Sequence, residues 1–260
     1  MSSIRVALRL LGLVAATLFW TLAFCVGFII AAPRGRKLTL RDWIVHRWAR
    51  SVLWVLGIRV RVLGPVPTGG CLLVSNHVSY VDIFVLASLR PVAFLSKSEV
   101  AQWPGIGLVT RIVGIRFIDR NIRRGLAALG GILVDEARAG HGMIFFPEGT
   151  TTDGTGLLPF RPALLSAAAE RGFGVHHAAI AYRTPEAYPP AEKAVAWIGD
   201  DEFLPHILAF LRVPRLDACV ALGDAPIGSE DRKVLAAELE SAVRAGLDRA
   251  RAAVSQPLGA

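Results

Sequence analysis

Residues 71–89, CLLVSNHVSYVDIFVLASL, run apolar, turn polar, and run apolar again. The opening CLLVSN is a short, nearly continuous apolar stretch closing in a serine and an asparagine, the pattern of a strand buried on both faces. VDIFVLASL reads as the helix that follows it. His77 and Asp82 belong to the knot between them, and neither suits a buried strand. On a continuous helix, side chains five residues apart diverge by about 140° and do not meet. They meet if His77 sits in the turn and Asp82 in the first helical turn after Ser79. The carboxylate then reaches back to one imidazole nitrogen, fixes the tautomer, and leaves the other nitrogen free to accept a proton. A His and an Asp at this spacing also occur for purely structural reasons, so the pair needs company.

Outward from this unit the chain alternates strand and helix patterns. IRVRVLG (58–64) and VAFLSK (92–97) read as strands, GLVTRIVG (107–114) as a helix, and IRFIDR (115–120) as a strand. Residues 124–139 have helical periodicity, and GMIFFPEGT (142–150) is a strand entering a turn. RPALLSAAAERG (161–172) is a helix with Pro162 in its first turn and Gly172 at its end. GVHHAAIAYR (174–183), KAVAWIG (193–199) and DACVALGDAP (217–226) read as strands. Residues 229–254 form an amphipathic helix with a cap region at 229–232. Such alternation predicts an α/β fold, a mixed sheet flanked by helices, over residues 58–260.

Residues 1–57 are of another kind. LLGLVAATLFWTLAFCVGFIIAA (10–32) is 23 residues without a charge. As a helix it is roughly 34 Å long, enough to cross a hydrocarbon core. It exceeds the apolar stretch of a signal peptide, and A-A-P at 31–33 is a poor cleavage site, so a retained anchor is expected. Arg5 and Arg9 precede it; Arg34, Arg36, Lys37 and Arg41 follow. The heavier charge after the segment places the C-terminal side in the cytosol, at an inner membrane. With both flanks basic and Gly27 able to bend the segment, a helical hairpin in one leaflet is the other form of the anchor. DWIVHRWARSVLWVLG (42–57) sets Trp43, Trp48 and Trp54 among Arg47 and Arg50, the composition of an interfacial helix; it also fits a core helix of the domain that follows.

The 260 residues are 53% hydrophobic and carry a net charge of +8, a balance suited to an anionic membrane surface or acidic substrates. The basic residues are dispersed and no base-stacking motif appears, which argues against nucleic acid. Cys25, Cys71 and Cys219 have neither metal nor disulfide spacing and read as small buried apolar residues. His176 and His177 are adjacent on a strand and face opposite ways, so no metal site is expected.

Three strand ends carry polar residues out of apolar runs: Asn76-His77 with Asp82, Asp119-Arg120, and Glu148-Gly149-Thr150. In open α/β sheets, ligands bind where strands end. Ser75 and Ser79 lie near His77, but neither has the flanking glycines of a nucleophile elbow. A histidine that deprotonates a substrate hydroxyl directly is the simpler reading.

NHVSYVD (76–82), GIRFIDR (114–120) and FPEGT (146–150) resemble, in order and spacing, three sequence blocks of the glycerolipid acyltransferase family, membrane enzymes that acylate lysophosphatidate. The resemblance implies that His77 is the general base on a lysolipid hydroxyl, with Asp82 orienting it. The acyl donor would be acyl-CoA or acyl carrier protein, as co-substrate, with no cofactor. It implies that Arg120 holds an anionic head group, that Glu148, Gly149 and Thr150 shape the acceptor pocket, and that Lys97 and Arg161 lend positive charge. An ion pair for Arg120, a turn cap for Glu148 and a solvated surface for Lys97 are the plainer alternatives. The sequence departs from the family's E-G-T-R with E-G-T-T at 148–151, and His177 stands where the fourth block usually has proline. The main expectation is phosphatidate synthesis from 1-acylglycerol-3-phosphate. The E-G-T-T-x-D-G form resembles the bacterial branch that acylates lyso-ornithine lipid, which is the alternative. A non-catalytic module binding anionic lipid would not need His77, and a membrane-anchored hydrolase would release fatty acid without an acceptor.

Overall fold

The computed structural model describes residues 2–31, 37–97, 116–118 and 123–256. Two long helices come first, α1 (Ser2–Ala31) and α2 (Lys37–Leu56). Then follow β1 (Ile58–Leu63), β2 (Cys71–Ser75), α3 (Val81–Ala87), β3 (Ala93–Lys97), β4 (Arg116–Ile118), α4 (Arg123–Arg138) and β5 (Gly142–Phe145). A 3-10 turn (Pro162–Leu164) leads into α5 (Ser166–Glu170), β6 (Val175–Arg183), α6 (Ala191–Ala194), α7 (Phe203–Phe210), β7 (Leu216–Leu222) and α8 (Arg232–Ser255). Among the described residues the sheet has seven strands, in the order β1-β7-β6-β2-β5-β3-β4. All neighbours are parallel except β6 and β7, so the sheet is mixed, as expected.

Strand alternation sends side chains to two cores. Leu72 and Val74 of β2 face one side, with Met143 and Phe145 of β5. There α4 contributes Leu133, Val134 and Ala137, and α8 contributes Leu235, Leu239, Val243 and Leu247 at spacings of four. Asp231 caps α8, accepting from the backbone N–H groups of Lys233 (2.6 Å) and Val234 (3.2 Å). Leu73 faces the other side, where α3 supplies Val81, Val85 and Leu86. α2 packs on that same face through Val45, Ala49, Val52, Leu53 and Leu56, so it is a core helix. Its outward side still presents Trp43, Arg47, Arg50 and Trp54 to solvent.

α1 lies antiparallel along α2. Gly12 meets Val55, Trp20 donates to Ser51 and contacts Trp43, Trp48 donates to Thr17, and Gly27 meets Leu40. The first turns of α1 are tied to the sheet domain. Arg5 donates to the carbonyl of Arg212 (2.8 Å); Arg9 donates to those of Leu211 (3.1 Å), Val213 and Pro214 (2.7 Å), just past the end of α7. Both ends of the hairpin therefore rest on the same domain. The arginines expected to flank a membrane span here bind the turn that follows α7. By length and composition α1 can cross a membrane, yet its outer face, with Ile4, Leu8, Leu11, Leu18, Leu22 and Ile29, is exposed.

Three expectations change. KAVAWIG is no strand: Pro189 and Pro190 lead into the single turn α6, after which the chain runs as a loop. α7 had no counterpart in the pattern reading, because FLPHILAF is apolar nearly throughout and interrupted by Pro205. That proline lies in the first helical turn, where a backbone N–H has no intrahelical partner to lose. Cys71 and Cys219 are buried, but Cys25 is exposed on α1. The expected helix at 107–114 lies outside the described residues.

If the outer face of α1 meets lipid, charging it must weaken attachment. A Leu11→Glu, Leu18→Glu variant is expected to lose at least tenfold in vesicle partitioning measured by flotation, since each buried leucine contributes about 1.5–3 kcal/mol. Unchanged partitioning with an unchanged far-UV spectrum in detergent would contradict this placement.

Candidate active site

β2 ends at Ser75, whose backbone faces Ala178 of β6. Asn76 then extends the ladder with its side chain: Nδ2 donates to the Ile180 carbonyl (3.0 Å) and Oδ1 accepts from the Ile180 N–H (2.7 Å). This clamp frees the backbone of His77 to turn away. Asp82, in the first turn of α3, is fully buried. Its Oδ2 accepts from His77 Nδ1 (2.7 Å) and from the backbone N–H groups of Val78 (2.7 Å) and Ser79 (2.9 Å). Its Oδ1 accepts from the Tyr182 hydroxyl at 2.6 Å. An ionised carboxylate only accepts, so Nδ1 carries the imidazole hydrogen and Nε2 presents a lone pair. The ring stacks on Phe146 with centroids 3.8 Å apart and planes 5° from parallel. The side chain of His77 keeps 12% exposure, so the ring is reachable from outside.

The turn after β5 holds the same loop from the other side. Glu148 is buried; Oε1 accepts from the His77 N–H and Oε2 from the Leu158 N–H, each at 2.8 Å. Burial pushes its carboxyl up to about 7, against the opposing pull of these two N–H groups. Both oxygens are thus committed to backbone, which matches the turn-cap alternative for this residue. Gly149 has φ +77°, and a Cβ there would stand 2.9 Å from Cζ of Arg161. The exposed Arg161 lies over that glycine, its own N–H bound to the Pro147 carbonyl (2.9 Å). Thr150 follows, half-buried.

Two further threads tie the loops together. The Thr152 N–H donates to the His77 carbonyl (2.8 Å), and the Thr151 hydroxyl donates to the Trp197 carbonyl. The Trp197 N–H returns to the Val78 carbonyl at 3.0 Å. Tyr80 donates to Nδ1 of His206 (3.0 Å), whose Nε2 donates to the Ala196 carbonyl (2.9 Å). Segments 76–82, 146–152 and 195–206 therefore form one bonded unit.

The structure brings His77, Asp82, Glu148, Gly149, Thr150 and Arg161 to this unit. Asp119 and Arg120 lie outside the described residues, as does the side chain of Lys97, whose backbone ends β3. Ser75 spends its hydroxyl on Asn76 Oδ1 (3.4 Å), and the buried Ser79 hydroxyl has no hydrogen-bond partner among the described residues. Neither serine is bonded to His77 as a nucleophile would be. No cluster of metal-ligating side chains occurs among the described residues. Sequence reading missed Tyr182, although it extends the alternation Ala178, Ile180 on β6 with a polar tip at the strand end.

The family model described as acyltransferase matches residues 57–183. A lyso-ornithine lipid O-acyltransferase of Pseudomonas aeruginosa is 37% identical over 92% of this chain and 91% of its own. A 1-acyl-sn-glycerol-3-phosphate acyltransferase of Neisseria meningitidis is 33% identical over 79% of this chain and 81% of its own. The crystal structure of a 1-acyl-sn-glycerophosphate acyltransferase from Thermotoga maritima is similar in fold. Its TM-score is 0.55 at 19% identity, covering 94% of this chain and 98% of that one.

Glu148 gives a pH signature. With its carboxyl moved from 4.5 to about 7, the folded protein holds that proton more tightly than the unfolded chain. Its contribution to stability is full below pH 4.5 and is lost as pH rises to about 7. His176, His177 and His206, held below the usual histidine range mainly by burial, push the other way. The stability difference between wild type and Glu148→Gln isolates the carboxyl. It is expected to shift against wild type by up to about 3 kcal/mol across that window in urea unfolding; a difference independent of pH would contradict the assignment.

Proposed function

The chain belongs to the acyltransferase family, among its lysolipid-acylating enzymes, and on that premise we propose that it transfers a fatty acyl group from a thioester to the free hydroxyl of a lyso-ornithine lipid. The observation that carries the mechanism is the 2.7 Å bond from His77 Nδ1 to a fully buried Asp82. His77 Nε2 takes the acceptor hydroxyl's proton as the hydroxyl oxygen attacks the thioester carbonyl. The tetrahedral intermediate collapses, the C–S bond breaks, and the imidazolium returns the proton to the departing thiolate. No acyl-enzyme is needed, in keeping with the absence of a bond from Ser75 or Ser79 to His77. Acyl-CoA or acyl carrier protein serves as donor. A module that merely bound lipid would have no use for a buried carboxylate spent on orienting a reachable imidazole.

Several features favour a phosphate-free acceptor over lysophosphatidate. The relative matched over nine-tenths of both chains acts, by its name, on lyso-ornithine lipid. Thr151 stands where a phosphate-binding arginine would follow E-G-T, and its hydroxyl is engaged with Trp197. The neighbouring loop exposes Asp200, Asp201 and Glu202, which repel a phosphate dianion and suit an amine. An ornithine head group has an amine and a carboxylate, and Arg161 is the exposed cation over Gly149 placed for the latter. Arg120 and Lys97 remain further cations for the head group, on the family resemblance. The hairpin α1–α2, fixed to the domain at both ends, suits a helix embedded in one leaflet. Residues 1–57 then seat residues 58–260 on the cytoplasmic face of the inner membrane, where the thioester donors are found.

Purified protein in detergent, given both thioester donors, is expected to acylate lyso-ornithine lipid in preference to lysophosphatidate. His77→Ala is expected to lose about 10²–10⁴-fold in turnover, the usual worth of a general base. Phosphatidate as the sole product would overturn the acceptor; normal turnover by His77→Ala would overturn the base.

A further inference from the structure

We infer that Tyr182 is a positioning residue for acyl transfer, its hydroxyl holding the Asp82 carboxylate in the rotation that presents Oδ2 to His77 Nδ1. The inference rests on the reading of His77 as the base. Oδ2 alone takes three N–H donors, from His77, Val78 and Ser79. Oδ1 belongs to a fully buried group, where an unpaired carboxylate oxygen is costly. Left without a donor, the carboxylate gains by rotating to share the three N–H groups between its two oxygens. That rotation moves Oδ2 off the line to Nδ1 and frees the imidazole to turn. The Tyr182 hydroxyl, 2.6 Å from Oδ1, opposes the rotation with a short, charge-assisted bond.

The fold places this tyrosine with care. Asn76 clamps both backbone polar groups of Ile180 to the end of β2, and Tyr182 is two residues further along β6 on the same face. The residue that ends β2 thus registers, through β6, the residue that steadies Asp82. β7 backs the strand on its far side, with Tyr182 opposite Ala218. Burial, together with the Asp82 charge, holds the phenol well above its ordinary range, so it remains a donor across working pH.

Tyr182→Phe removes the hydroxyl and keeps the ring. Its kcat is expected to fall roughly 10- to 100-fold, the size of one hydrogen bond to a charged group, with KM for both substrates unchanged. Because Tyr182 acts through Asp82, adding Tyr182→Phe to Asp82→Asn is expected to cost nothing more. Wild-type kcat in Tyr182→Phe would overturn the inference. So would losses that multiply with those of Asp82→Asn, or a loss of kcat in Tyr182→Phe and Tyr182→Leu that only tracks their melting temperatures. His77→Ala, assayed alongside, separates the two levels. If it is inactive while Tyr182→Phe is fully active, only the positioning role fails; if it turns over normally, the base itself fails.

Discussion

A carboxylate with no exposure to water is the constraint around which this site is built. Asp82 is surrounded by α3, β6 and the turn after β2, and a charge there is tolerable only if its oxygens are filled. Four donors fill them: His77 Nδ1, two backbone N–H groups of the turn before α3, and a tyrosine hydroxyl. Satisfying the charge and orienting the imidazole are the same event. The proposed chemistry follows from the second half of it, since a ring that donates through Nδ1 leaves the lone pair of Nε2 free to accept a proton.

The same economy governs the surrounding loops. His77 is held through its side chain by Asp82, through its N–H by Glu148, and through its carbonyl by Thr152. Its ring leans on Phe146. On the proposed reading of His77 as the base, an imidazole held at four points loses little entropy when substrate arrives, which is how positioning converts to rate. The loop at 195–201 closes the arrangement through Trp197, and the turn after α7 is held by Arg5 and Arg9 of α1. The turn that carries His77 and the α1–α2 hairpin are consecutive links in one packed structure.

Much of this was legible in the chain. The strand, polar turn and helix of residues 71–89 follow from apolar runs and their lengths; a turn feeding a helix allows His77 to meet Asp82, and the family resemblance favoured that arrangement. The reach of Glu148 to the backbone of His77 was not legible, because no local pattern says which N–H a buried carboxylate will find. Nor was Tyr182, whose partner lies a hundred residues away in sequence. KAVAWIG misled because alternating small and large apolar residues look like a strand, while the prolines before it set a helical turn instead. α2 looked interfacial from its tryptophans; tertiary packing put its aliphatic stripe into the core and left Trp43 and Trp54 outside. α1 had no polar face from which a partner could be read, so its pairing with α2 had to come from the structure.

The proposed mechanism requires the hydrogen of the neutral His77 ring to sit on Nδ1. Nitrogen-15 NMR of the imidazole in detergent micelles, assigned against His77→Ala, reads this directly. The neutral ring is predicted to carry its hydrogen on Nδ1, with Nε2 resonating as an unprotonated nitrogen. A neutral ring carrying its hydrogen on Nε2 would contradict the account, because neither the bond to Asp82 nor the free lone pair would then exist.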